Sequence, residues 1–145
     1  MILLDVNVLV YAHREDAPGH RAYRHWLETA LEGSQPCGVS ELVLAGCLRI
    51  ITHPKVFTPP TPLEQALGFV RQIREHGNVH IVAPGSRHWN IFVDLCRQGK
   101  AKGNTIPDAY HAALAVEAGC EWITADAGFG RFPGLRWRHP VTDVE

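Results

Sequence analysis

Short apolar runs alternate with longer amphipathic ones from one end of this chain to the other, and few folds accept that order. Ile2–Leu4 and Cys37–Val39 are such runs; Val79–Val82 alternates like a strand, Glu121–Thr124 reads as another, and a last short one is expected near Leu135–Arg138. Each has strand length and is too short for a helix. Between them, apolar residues recur at helical spacing. A strand that returns to its own sheet through a helix must lie parallel to the strand before it. The expected fold class is therefore α/β: a three-layer α/β/α sandwich with a central, mainly parallel sheet. One unit over residues 1–145 is expected, since the length suits a single core.

The helical stretches have readable ends. Val6–His13 follows the first strand. Ala22, Trp26, Leu27, Ala30 and Leu31 mark one face between about 19 and 32, and Gly33 is a natural stop. Ser40 can cap a helix from Glu41 to about Thr52, whose interior, Leu42-Val43-Leu44-Ala45, is strongly apolar. His53-Pro54 ends it, and the proline-rich PKVFTPPTP must be a loop. Thr61-Pro62-Leu63-Glu64 stands in capping-box order before Leu63, Ala66, Leu67, Val70 and Ile73. Ser86 is expected to open the next helix, with Trp89, Phe92, Val93 and Cys96 on one side. Thr105 is expected to cap the last, with Ile106, Ala109, Tyr110, Ala113, Leu114 and Val116 facing inward. Trp26, Trp89 and Trp122 read as core.

Four acids lie at the joints of this pattern. Asp5 and Asp126 follow the first and fourth strands; Glu41 and Asp108 sit in the first turns of helices. In a parallel sheet the carboxyl ends of strands and the helix starts after them share one edge, where α/β folds bind ligands. Each acid alone has a plainer reading, as a helix cap or a first-turn dipole partner. Asp126 could simply make an Asx-turn into Gly128. Together at one edge they would repel unless a proton or cation intervened. Hard oxygen ligands point to Mg²⁺ or Mn²⁺, and such an ion accepts phosphate oxygens. Asn7, Asn104 and Thr124 are the supporting polar residues: Asn7 could hold Asp5 by hydrogen bonds, and Thr124 could orient a carboxylate or a water. Arg49, Lys100 and Lys102 are candidate phosphate contacts.

Other chemistries lack their residues. There is no P-loop, no G-x-S-x-G and no H-E-x-x-H. Cys37, Cys47, Cys96 and Cys120 form no C-x-x-C pair and read as buried, reduced thiols. His111, three residues after Asp108, could line the same crevice. Net charge is −1, so no whole-molecule field draws nucleic acid, although basic residues group locally, as at Arg131, Arg136 and Arg138. No apolar run approaches the roughly 20 residues of a membrane helix. MILLDVNVLVYAH carries Asp5 and no basic lead-in, so it reads as a buried strand rather than a secretory signal, with a cytoplasmic location as the default.

LLDVNVLVYA, SELVLAGCLRIITHP, NTIPDAYHAALA and WITADAGFGRF, in that order, resemble the PIN domain, and more closely the VapC toxins of toxin–antitoxin pairs. The resemblance implies an α/β/α sandwich that cleaves RNA with Mg²⁺ or Mn²⁺. It maps the family's acidic positions onto Asp5, Glu41, Asp108 and Asp126. Asn104 stands where many members carry a further acid, which bears against a fully occupied second metal site. The resemblance also implies a homodimer silenced by a cognate antitoxin protein. The reading is thus a divalent-metal-dependent endoribonuclease acting as a toxin. Two alternatives stay open: a catalytically inactive PIN-fold module binding RNA or protein, and a metal-dependent small-molecule phosphatase, although the second Asp of a D-x-D nucleophile pattern is replaced by Asn7.

Overall fold

In the computed structural model, which describes residues 1–141, the first strand is the centre of the sheet. The last four residues of the expected unit lie outside the described residues. The elements run β1 (Ile2–Leu4), α1 (Val6–His13), α2 (His20–Glu32), β2 (Cys37–Val39), α3 (Glu41–Ile51), α4 (Leu63–Glu75), β3 (Val79–Ile81), α5 (His88–Gln98), α6 (Thr105–Ala118), β4 (Glu121–Ile123) and β5 (Trp137–Arg138). A 3-10 turn, Ala127–Arg131, separates β4 from β5. All five strands pair in parallel in the order β3-β2-β1-β4-β5. The chain thus builds outward from β1 in one direction and then returns to build in the other. Right-handed crossovers place α1 to α4 on one face and α5 and α6 on the opposite face. The three-layer expectation holds.

Burial explains why the inner strands are short and mostly apolar. Ile2, Leu3, Leu4, Cys37, Val39, Trp122 and Ile123 are all buried, as strands covered on both faces must be. The outer strand β3 is the exception, with His80 and Ile81 exposed at the sheet edge. Between β1 and β3, Gly38 has no room for a side chain. An added Cβ would lie 2.9 Å from Val82 Cγ2 and 3.2 Å from both the Ile2 carbonyl and Leu3 Cδ1.

Several helix ends and faces differ from the sequence reading. Ser40 does cap α3, its Oγ accepting from the Val43 amide at 3.0 Å. Thr61 does not cap α4; its Oγ1 accepts from Arg14 instead, and α4 starts after Pro62 without a side-chain cap. Thr105 is inside α6 rather than capping it, because its Oγ1 closes a local turn with the Lys102 amide and carbonyl. Helix α5 starts at His88, not Ser86. The Glu117 carboxylate takes the Gly85 and Arg87 amides just before it. On α5 the buried positions are His88 and Leu95, so Trp89 is turned outward and is 65% exposed rather than core. Ile106 and Leu42 are also exposed, and on α2 the buried residues are Tyr23 and Leu27 while Ala22 faces out. Trp122 is fully buried as expected.

Gly38→Ala should destabilise the protein by about 1–3 kcal/mol, the usual cost of overpacking a filled interior. Urea unfolding would show it as a lowered midpoint; an unchanged midpoint would mean the β1–β2–β3 packing is looser than described.

Candidate active site

Asp5 stands at the carboxyl end of the central strand, where the order of sheet construction reverses. Its amide continues the ladder, donating to the Ile123 carbonyl at 3.0 Å, and its side chain turns to cap α1. Sequence forces this position, since three large apolar residues bury β1 and carry the next residue with them. Asp5 is 6% exposed. Its Oδ1 accepts from the Val6 amide at 2.6 Å. Its Oδ2 accepts from the Thr124 hydroxyl at 2.6 Å and from Asn7 Nδ2 at 3.2 Å.

Thr124 and Asn7 tie two strand ends together. Asn7 Nδ2 also reaches Thr124 Oγ1 at 3.2 Å, and Asn7 Oδ1 accepts from the Ala125 amide at 3.1 Å. Thr124 Oγ1 accepts from the Asp126 amide at 3.0 Å, which fixes the turn carrying Asp126. Thr124 is therefore the orienter of Asp5 rather than of the Asp126 carboxylate. Asp126 makes the Asx-turn as well, its Oδ1 accepting from the Gly128 amide at 2.8 Å.

Asp5, Asp108 and Asp126 line one cavity of about 660 Å³. Their charges act on one another. Burial, opposed by the Thr124 and Val6 hydrogen bonds and reinforced by Asp108 and Asp126, pushes the Asp5 carboxyl up to about 6. Asp108 is also raised, by burial and by Asp126, with the Arg131 guanidinium pulling the other way. His111 lines the cavity with its ring stacked on Trp122, centroids 5.5 Å apart. Burial, together with nearby His88, pushes its imidazole down to about 4, so it is uncharged at neutral pH and offsets none of the carboxylates. Arg49, from the exposed side of α3, is the cation in the lining.

The other expected residues are placed differently. Glu41 does not line this cavity; its Oε2 pairs with Arg74 Nη2 at 3.1 Å on the surface. It borders an adjoining depression that shares Leu42 and His111 with the cavity. Asn104, Lys100 and Lys102 are exposed on the turn leading into α6 and stay outside the lining. Sequence reasoning passed over Tyr11, Val56 and Phe57, while Arg131, read only as part of a basic group, acts on Asp108. A valine and a phenylalanine inside a proline-rich loop, where polar residues are the rule, were the available signal for Val56 and Phe57.

Among the described residues no three His, Cys, Asp or Glu side chains converge into a ready-made metal cage. That donor set does not fit zinc, which wants a closed, nitrogen- and sulfur-rich tetrahedron. It does fit Mg²⁺ or Mn²⁺, which one or two carboxylates can hold while water and phosphate oxygens complete the shell. Asp108 is the freest donor, since no hydrogen bond to its carboxylate occurs among the described residues.

Comparison with known proteins agrees with this geometry. The PIN domain model matches residues 2–135. The chain belongs to the PIN domain family. Within it, the chain is VapC-like. It is similar to ribonuclease VapC43 of Mycobacterium tuberculosis, 44% identical over 141 residues, covering 97% of this chain and 96% of the relative. It is 39% identical to ribonuclease VapC25 of the same organism over 140 residues, covering 97% and 99%. Among solved structures, VapBC2 from Rickettsia felis, bound to a fragment of promoter DNA, superposes with a TM-score of 0.71 at 19% identity, covering 96% of this chain and 98% of that one. At that identity the match speaks for the PIN fold.

The Asp5 shift has a sign that unfolding can read. Between an ordinary carboxylate value of 3.8 and about 6, the folded protein holds a proton that the unfolded chain has released. The Asp5 contribution is then full below about pH 4 and is lost as pH rises through 6. In chelator, the stability of wild type minus that of Asp5→Asn should fall by on the order of 2 kcal/mol between pH 4 and pH 7. Urea titrations at a series of pH values would measure it, and a flat difference would refute the burial assigned to this carboxyl.

Proposed function

We propose that this VapC-like chain is a divalent-metal-dependent endoribonuclease that hydrolyses RNA phosphodiester bonds and serves as the toxin of a toxin–antitoxin pair. The observation that carries the reading is the three-aspartate cavity at the centre of the sheet, with Asp5 buried beside two further acids. Such a set is costly as a group of bare charges and useful as a cation site. The names of the full-length relatives, VapC ribonucleases, support the same chemistry.

Asp5 and Asp108 would hold the principal Mg²⁺ or Mn²⁺, with Asp126 and Glu41 acting directly, through water, or at a second ion. The ion, when bound, supplies Lewis-acid stabilisation of phosphate charge and lowers the pKa of a water ligand. Thr124 and Asn7 keep Asp5 Oδ2 in one orientation, so the carboxylate need not reorganise when substrate arrives. One of the acids, Asp126 in this reading, would take a proton from the attacking water. Arg49 neutralises phosphate inside the cavity. Lys100 and Lys102, on the turn before the Asp108 helix, contact phosphates farther along the strand, and Asn104 on the same turn supplies a neutral hydrogen-bonding group. Single-stranded or looped RNA suits a concave site better than a duplex.

The partners follow from the same reading. The solved neighbours include VapBC complexes, which supports a cognate antitoxin as the protein partner, and we extend the reading to a homodimer. No helix of the described residues is long and apolar enough to cross a membrane. The free cysteines suit the reducing cytoplasm, where RNA is met.

Asp5→Asn, Asp108→Asn and Asp126→Asn should each lower the rate of RNA cleavage in Mn²⁺ by a factor on the order of 10²–10⁴. Denaturing gels of single-stranded RNA would follow it. Full activity in Asp5→Asn, or wild-type cleavage that survives EDTA, would defeat the assignment. A second readout is thermal: Mn²⁺ should raise the Tm of wild type at pH 7.5 and far less at pH 5, where Asp5 is protonated, and Asp5→Asn should lose the response.

A further inference from the structure

The connection between α3 and α4, residues 52–62, carries no regular structure, yet it is tied down more firmly than a linker requires. Arg14, at the end of α1, is the tie; its side chain is 13% exposed. Its guanidinium carbon lies 4.4 Å from the centroid of the Phe57 ring. It donates to the Pro59 carbonyl at 2.9 Å and to Thr61 Oγ1 at 3.2 Å. Its Nε and Nη2 are held in turn by the two Asp16 oxygens at 2.9 and 2.8 Å. His13 Nε2 meets Thr61 Oγ1 at 3.1 Å, and the Thr61 amide donates to the Ile51 carbonyl at 2.8 Å. The Val56 and Phe57 amides both bond to the His53 carbonyl at 3.1 Å. Chain ordered this heavily loses conformational freedom, and joining two helices does not need it.

What the strap presents is the second observation. Val56, Phe57 and Tyr11 line the same cavity as the three aspartates and Arg49. The cavity lining therefore combines charged groups with apolar and aromatic ones. One face of the Phe57 ring is covered by the Arg14 guanidinium. RNA has the same combination: a charged phosphate joined to a flat base that stacks on aromatic surfaces.

We propose that Phe57, with Val56, is the base platform of this site, taking one unpaired nucleobase beside the phosphate to be cut, and that Arg14 is the positioning residue that holds it. The inference rests on the RNA reading above and adds to it a subsite for the base. Stacking tolerates any base, so the platform contributes binding and register, not a sequence code.

The test compares two ligands: a short single-stranded RNA of mixed sequence, and a chain of equal length made of abasic nucleotides. Binding is measured by fluorescence anisotropy in Ca²⁺, and cleavage separately in Mn²⁺. Wild type should prefer the RNA by at least about tenfold. Phe57→Leu, which keeps apolar bulk and loses the ring, should bring the ratio near one, and Phe57→Tyr should keep it. Arg14→Lys should shrink the ratio while the Tm shows a folded protein, since ammonium cannot reproduce the planar stack and fork of bonds. Arg49→Ala should weaken both ligands alike. A wild-type ratio near one, or a ratio undiminished in Phe57→Leu, overturns the platform and leaves the apolar wall to a protein partner. A preserved, Phe57-dependent ratio without any cleavage by wild type supports the platform and removes the nuclease reading instead.

Discussion

A carboxylate almost wholly out of water, at the end of the central strand, is the constraint the rest of the molecule answers to. Asp5 cannot be relieved by solvent, and its neighbours Asp108 and Asp126 add to its difficulty. The surrounding backbone and side chains compensate with three donors: the Val6 amide, the Thr124 hydroxyl and the Asn7 amide. Hydrogen bonds to the charged form lower a carboxyl pKa, yet here desolvation still outweighs them. In the free protein a proton supplies the remainder, and the divalent ion we propose would take its place when bound.

The same donors join parts of the fold that meet only at this point. Asn7 is in the first turn of α1 and Thr124 just beyond β4, on either side of the buried acid. Through the Ala125 and Asp126 amides the network extends to the turn that carries the third carboxylate. Local caps and the cluster are therefore not competing explanations. Asp5 caps α1 and Asp126 makes an Asx-turn while both line the cavity; each local bond uses one oxygen, and on Asp5 the second accepts from Thr124 and Asn7.

Much of this was legible in the sequence. The inner strands could be read because burial on both faces makes them mostly apolar, and the sites of Asp5 and Asp126 follow from where β1 and β4 end. Helix faces were less legible. Trp89 and Ile106 were placed inward by hydrophobicity alone, but the buried line of α5 runs through His88 and Leu95, with the His88 imidazole donating to the Tyr110 carbonyl. Thr61 and Thr105 had the right type and spacing for caps, and each was taken by a competing local or tertiary bond. Glu41 sits at the helix start where it was expected. Its pairing with Arg74 depends on how α3 packs on α4, which no local pattern encodes. The apolar wall of the cavity depended on a long-range tie from Arg14 that spacing could not reveal.

Helix α1 is eight residues long, two turns and a little more, or about 12 Å. Its first cap is Asp5 and its last is Arg14. The two ends of one rigid rod thus hold the buried acid and the strap over the cavity, and the rod acts as a ruler between them. One residue inserted in it would swing Arg14 around the axis by about 100° and break its hold on residues 57–61. The length of α1 is therefore held as tightly as its buried side chains, Val8, Leu9, Val10 and Ala12.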